Sequence, residues 1–187
     1  MPAGIDLLME RLKSAKDDER YSAFTELLSI TEGKVPWFGE YREELAAKLA
    51  SPNSYQRSIG AMLLANLAKS EGKKGEFGKL LPGLMRLVDD EKFITERQYL
   101  QSVWKVALVD PAYKKKIVAQ LKAEFAASAA KKHANLLRLD IVAGLAKIMA
   151  GTGEAGMRRE IEALIATEEG EKERKKYSAA LNAEETP

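Results

Sequence analysis

No cysteine occurs in the 187 residues, which excludes disulfides, thiolate metal sites and cysteine nucleophiles. Histidine is almost as scarce. With His133 alone, a zinc site would have to be built from carboxylates, and a Ser-His-Asp arrangement would rest on Asp140, seven residues on, with no nucleophile signature beside it. There is no Gly-rich phosphate loop, no HExxH and no EF-hand pattern. No apolar run approaches the roughly 18 residues that a membrane span needs. The opening stretch MPAGIDLLMERLK also lacks the charged-then-apolar order of a secretory signal. These absences lead us to expect a cytoplasmic, non-enzymatic protein with no cofactor and no metal.

What the sequence does contain is a repeat. Apolar residues make up 45% of the chain, enough for one core. Four arginines, Arg20, Arg57, Arg97 and Arg138, recur at spacings of 37, 40 and 41 residues. The seventh residue after each is Leu27, Leu64, Trp104 and Leu145, and the tenth is Ile30, Leu67, Ala107 and Ile148. Offsets of zero, three, seven and ten share one helix face, so the same apolar stripe is written four times. A period near 40 with two helices per period indicates an all-α fold, a HEAT or armadillo-like α-solenoid of about four to five helix pairs stacked with a right hand.

Start and stop signals place the pairs at about 4–14 and 18–31, 37–50 and 52–70, 76–89 and 94–109, and 111–127 and 131–150. Ser51 is the expected N-cap before Pro52, and Asp110 the N-cap before Pro111. Pro82 predicts a kinked or opened first helix in the third pair. Leu7, Leu8, Leu12, Phe24, Leu27 and Leu28 are expected to meet inside the first pair. A further amphipathic helix over 154–167 carries Met157, Ile161, Leu164 and Ile165 on one face and is expected to cap a single domain spanning 1–167. Residues 168–187 form a charged tail. Within it Arg174 lies 36 residues after Arg138 and is followed by Tyr177 and Leu181, the mark of a degenerate last second helix.

Two stretches, SPNSYQRSIGAMLLANLAKSE (51–71) and DEKFITERQYLQSVWKVALVDPAYKKKIVAQL (90–121), resemble segments of small bacterial HEAT-like repeat proteins sometimes labelled SufBD-like. The resemblance covers about residues 5–150 and rests on Asn53-x-x-x-Arg57 and Thr95-x-Arg97-Gln98. It implies a cytoplasmic helical-repeat protein, and the label hints at iron–sulfur assembly. The chain has no cysteine to hold a cluster.

Net charge is only +2, but residues 1–50 carry 7 basic and 10 acidic side chains while residues 111–150 carry 8 and 2. The fourth repeat is thus the candidate polyanion surface, through Lys114, Lys115, Lys116, Lys122, Lys131, Lys132, Arg138 and Lys147. Arg57, Arg97, Lys131, Lys132, His133 and Arg138 are the candidate binding residues. The arginine column also reads as a structural ladder, in which each stem packs at the edge of the buried stripe and each head bonds turn carbonyls or carboxylates. Trp104 invites comparison with DNA glycosylases built on HEAT-like repeats, which trap a damaged base between aromatic side chains. Its register instead assigns it to the core slot of Leu27, Leu64 and Leu145, and Leu108 stands where that family's pattern would place an aspartate. The expected function is a non-catalytic protein–protein interaction scaffold that presents a concave surface to an unknown protein or peptide. The second reading is a nucleic-acid-binding or alkylpurine-glycosylase-like repair protein.

Overall fold

A computed structural model describes residues 4–154 and 156–183, and every regular element among them is helical. The first pair is α1 (Ile5–Arg11) and α2 (Asp17–Ile30), and the second is α3 (Phe38–Lys48) and α4 (Ser54–Leu67). The third consists of α5 (Leu81–Met85) followed by α6 (Phe93–Ser102) and α7 (Trp104–Ala107). α8 (Pro111–Ala127) and α9 (Ala134–Thr152) form the fourth, and α10 (Gly156–Ala166) and α11 (Glu171–Ala183) the fifth. The second members touch one another in chain order: α2 on α4, α4 on α6, α6 on α9, and α9 on α11. Each pair thereby closes its neighbour's apolar stripe, and Leu27, Leu64, Leu145 and Ile148 are all fully buried.

Local chemistry sets the helix ends. Asp110 Oδ1 accepts the Ala112 N–H at 2.7 Å, with Pro111 in the first turn. In the second pair the cap is Asn53 rather than Ser51. Asn53 Oδ1 accepts the Tyr55 N–H at 2.9 Å, and Ser51 Oγ accepts the Asn53 N–H one turn earlier. Pro82 reduces the first helix of the third pair to the short α5 between 3₁₀ turns at 77–79 and 86–89. Side chains of α8 satisfy the backbone freed by that break. Gly78 donates its N–H to Tyr113 Oη at 2.9 Å, and Gln120 Nε2 donates to the Met85 carbonyl at 2.9 Å.

The structure departs from the repeat register at Trp104. The third second helix is interrupted between Ser102 and Trp104, where Ser102 Oγ donates to the Gln98 carbonyl at 2.7 Å and Val106 N–H bonds back only three residues to Val103. The tightened turn points Val103 and Val106 into the core, both fully buried, and leaves Trp104 partly buried at the surface. Ile30 is a second departure, at 37% exposed. At about 1.5 Å per residue, the seven residues of α1 span only half of the fourteen of α2, so the last turns of α2 extend past their cover. Leu7, expected between the first two helices, is exposed instead, while Leu8, Leu12 and Leu27 meet there.

Close backbone approach explains one glycine. A Cβ on Gly60 would stand 3.0 Å from Lys48 Cβ and 3.3 Å from the Leu45 carbonyl, so α3 and α4 touch where no side chain fits. At the far end, Tyr177 and Leu181 bury α11 against α9, with Tyr177 edge-on to Phe125 at 6.0 Å.

Candidate functional site

The arginines lie where the apolar stripe meets the turn, and all but Arg97 bond the backbone near that turn. Arg20 Nη1 donates to the Ser14 carbonyl at 2.8 Å, Arg57 Nη1 to Ser51 at 2.9 Å, and Arg174 Nη1 to Glu168 at 2.8 Å, in each case six residues back. Three also reach forward to the next repeat. Arg57 grips Asp90 through Nε at 2.6 Å and Nη2 at 2.8 Å, and Arg97 grips Asp140 at 2.6 and 3.1 Å. Arg138 reaches Glu168 at 2.6 Å while its Nε donates to the Phe125 carbonyl and its plane lies 4.7 Å over the Phe125 ring. Burial pushes the Asp90 carboxyl up, but the Arg57 fork and the Lys92 amide outweigh it and hold the group below the usual carboxylate range.

Of the six candidate binding residues, Arg57, Arg97 and Arg138 thus spend their donors inside the fold. Lys131 does the same, with Asp89 at 2.8 Å, Glu96 at 2.9 Å and Glu124 at 3.0 Å around its ammonium. Burial alone would lower its pKa, and the three carboxylates reverse that and raise it. Only Lys132 and His133 stay exposed. His133 is the N-cap of α9 in a left-handed conformation, φ 63°, with its ring 4.9 Å from Phe93. Asp140 is committed to Arg97 and to Gln101 Nε2 at 2.9 Å. The basic surplus of the fourth repeat is drawn down in the same way, since Lys114 pairs with Glu154 and Lys122 with Glu160. Lys114, Lys115 and Lys122 line one hollow with Glu154 and Glu160, while Lys147 stands at Trp104.

The surface the structure does assemble lies on the second helices beside the buried stripe. A groove of about 700 Å³ crosses α2, α4 and α6 and is floored by Tyr21, Phe24, Tyr55, Met62, Phe93 and Ile94. Tyr21 is 68% exposed, Tyr55 65% and Ile94 59%, an unusual amount of large apolar surface to leave uncovered in one place. Asp17, Arg20, Glu91 and Lys92 rim it with both signs of charge.

Along α4 the stripe continues from Met62 to Ala65 and Lys69, where a second hollow of about 590 Å³ opens. Its lining is Glu32, Lys34, Ala65, Lys69, Trp104, Lys105, Leu108 and Val109. Trp104 Nε1 donates to the Gln101 carbonyl at 3.0 Å, and the Lys105 and Lys147 ammonium groups stand 5.7 and 5.3 Å from the indole centre. Asn66 holds Lys105 in place: its Oδ1 accepts from Lys105 Nζ, while its Nδ2 donates to the Leu28 carbonyl at 3.2 Å and to Thr31 Oγ1 at 3.1 Å. Burial, together with the charges of Lys69 and Lys147, lowers the Lys105 pKa.

The sequence carried a signal for this face. Counting from Arg57, offsets of 1, 5, 8 and 12 give Ser58, Met62, Ala65 and Lys69, a helical stripe flanking the core in which the small Ser58 and Ala65 are buried and Met62 and Lys69 half-buried. Tyr21, Phe24 and Leu28 follow nearly the same offsets from Arg20. Apolar periodicity does not separate a core stripe from its half-buried flank, where Phe24 packs against the core and also lines the groove.

Among the described residues no three His, Asp or Glu side chains are grouped to hold a metal ion, and no helix is long and apolar enough to cross a membrane. No protein-family model matches the chain, and no curated protein matches it in sequence.

Proposed function

We propose that the chain is a non-catalytic protein-interaction module, a HEAT-like solenoid that takes a segment of another protein in the groove across α2, α4 and α6. One observation carries this reading: three successive second helices expose Tyr21, Tyr55 and Ile94 side by side over a groove of about 700 Å³. Exposed aromatic and aliphatic anchors, with a rim of mixed charge, are the composition of a protein-docking surface. Groove-binding of a short segment is the mode that suits helical repeats. The arginines belong to the scaffold in this reading, because their donors are used between repeats.

The nucleic-acid reading draws on Trp104 and its lysines. Two features weigh against it. The Lys105 and Lys147 ammonium groups stand over the indole where a stacked base would lie, and Asp140, the acid nearest His133 in sequence, has both oxygens engaged by Arg97 and Gln101.

Panning a library of displayed 16-residue peptides against the full chain tests the reading. Peptides should enrich that bind the wild-type protein and lose about tenfold or more in affinity against Tyr55→Ala or Met62→Glu, each removing a groove anchor. Enriched peptides that bind both variants as tightly as wild type would place docking elsewhere.

A further inference from the structure

The lysines of this chain divide into two groups. Lys13, Lys16, Lys114, Lys122 and Lys131 each sit within 4 Å of a carboxylate. Lys34, Lys69, Lys105 and Lys147 do not, nor do scattered exposed lysines such as Lys115, Lys116 and Lys132, but these four gather around Trp104. The polar contacts that Lys69 and Lys105 make are with neutral acceptors, the Glu32 carbonyl and Asn66 Oδ1. Holding several ammonium groups around one hollow costs repulsion that the fold offsets only through the face of Trp104 and the Glu32 carboxylate on its edge. Local violations of this kind mark surfaces shaped for a ligand of opposite charge.

The hollow lies one helical turn from the apolar groove, since Ala65 lines it three residues after the groove's Met62. Ser58 and Met62 of α4 line the groove, and Ala65 of α4 and Lys69 of the 3₁₀ turn that follows line the hollow, along one face. From Tyr55 to Lys69 is fourteen residues of helix and turn, roughly 21 Å at 1.5 Å per residue. The charges at the other end of the stripe cancel, Asp17 and Glu91 against Arg20 and Lys92. Only the Trp104 end carries a net sign.

We infer that the lysine hollow at Trp104 binds carboxylates of the same protein segment whose apolar side chains fill the groove. The inference rests on the groove reading and adds chemistry and direction to it. The partner is an acidic, amphipathic segment about 21 Å long, roughly fourteen residues if helical. Its aromatic or aliphatic anchors lie over Tyr21, Tyr55 and Met62, and two or three Asp or Glu residues at its other end face Lys69, Lys105 and Lys147. The indole gives those lysines an apolar floor and a π face, keeping their ammonium groups forward while their stems are covered.

The test uses the peptides enriched by panning, with affinities read by fluorescence anisotropy at low and moderate salt on the full chain. Enriched sequences should place apolar residues toward one end and an excess of Asp and Glu toward the other. Lys69→Glu combined with Lys147→Glu should weaken them by about tenfold or more and flatten the salt dependence. Lys105 is left intact because Asn66 holds it. Circular dichroism of the pair checks folding, and Lys115→Glu with Lys116→Glu, on exposed positions of α8, should leave binding unchanged. Binding lost on Met62→Glu but insensitive to the Lys69 and Lys147 reversal would overturn this inference and leave the groove reading standing. No enrichment, or enrichment indifferent to Met62→Glu, would overturn both. A twelve-nucleotide single strand that binds more tightly than any peptide, and is released by the lysine reversal, would overturn the inference in favour of nucleic acid.

Discussion

Replacing Asp90 with asparagine keeps the shape of the side chain but removes the buried carboxylate from Arg57. In the folded protein the two side chains are only 10% and 5% exposed and meet through two bonds of 2.6 and 2.8 Å. Breaking a buried pair by removing one partner costs about 3–5 kcal/mol, because the other charge is left uncompensated. Arg57 keeps the Ser51 and Pro52 carbonyls and the exposed Glu91 carboxylate at 3.3 Å, so the loss should fall at the low end, about 3 kcal/mol. At this chain length that corresponds to a melting point lower by roughly 6–12 °C. The pH dependence separates a charge effect from a packing effect. The folded Asp90 pKa is depressed, so its contribution is complete above the unfolded value of about 3.9 and disappears as pH falls through the folded value. Urea unfolding followed by circular dichroism should show the gap between wild type and Asp90→Asn narrowing below about pH 4. Exchanging both partners, Arg57→Met with Asp90→Leu, should recover most of the loss, since neither charge is then buried alone. A single-variant loss under about 1 kcal/mol, or a gap unchanged on acidification, would refute the ladder as a structural device.

Three further outcomes follow from packing. Gly60→Ala should cost about 1–3 kcal/mol, because the new methyl meets Lys48 Cβ at 3.0 Å across the α3–α4 contact. Leu181→Ala should cost about 2–5 kcal/mol in a single unfolding transition, whereas a loosely attached α11 would lose under about 0.5 kcal/mol. Trp104→Ala should cost clearly less than Leu145→Ala, about 1 kcal/mol against roughly 2–5, since Leu145 is fully buried and Trp104 only partly so. The reverse order in urea titrations would return Trp104 to the core.

The pairs α1–α2, α3–α4 and α8–α9 were legible because their signals are local: an apolar stripe at helical spacing, and for α8 the Asp110 cap with Pro111 in the first turn, whereas the cap of α4 was read two residues early, at Ser51 instead of Asn53. Trp104 was misplaced by the same reasoning, since register counting assumes an unbroken helix and the Ser102 hydroxyl bonds tighten the chain just before it. The arginine column was visible, but the carboxylates that Arg57 and Arg97 reach in later helices were not. Asp90 lies 33 residues from Arg57 and Asp140 43 from Arg97, and no local pattern selects one carboxylate at that distance. The charge count of the fourth repeat pointed to a basic face for a related reason: Glu154, Glu160 and Glu168, which take up Lys114, Lys122 and Arg138, all come from later in the chain. The four lysines around Trp104 are drawn from every repeat up to the fourth, so composition by segment conceals them.

Where a partner seats itself can be read from methionine methyl groups. The chain has 6 methionines, and of those described only Met62 lines the groove, while Met9, Met149 and Met157 are buried and Met85 packs at the core's edge. Methyl carbon–proton spectra of protein labelled at methionine should therefore show the Met62 resonance shifting on titration with a selected peptide, saturating with the anisotropy affinity, while the buried methyls hold still. A peptide bound to saturation with the Met62 methyl unmoved would contradict docking in the groove across α2, α4 and α6.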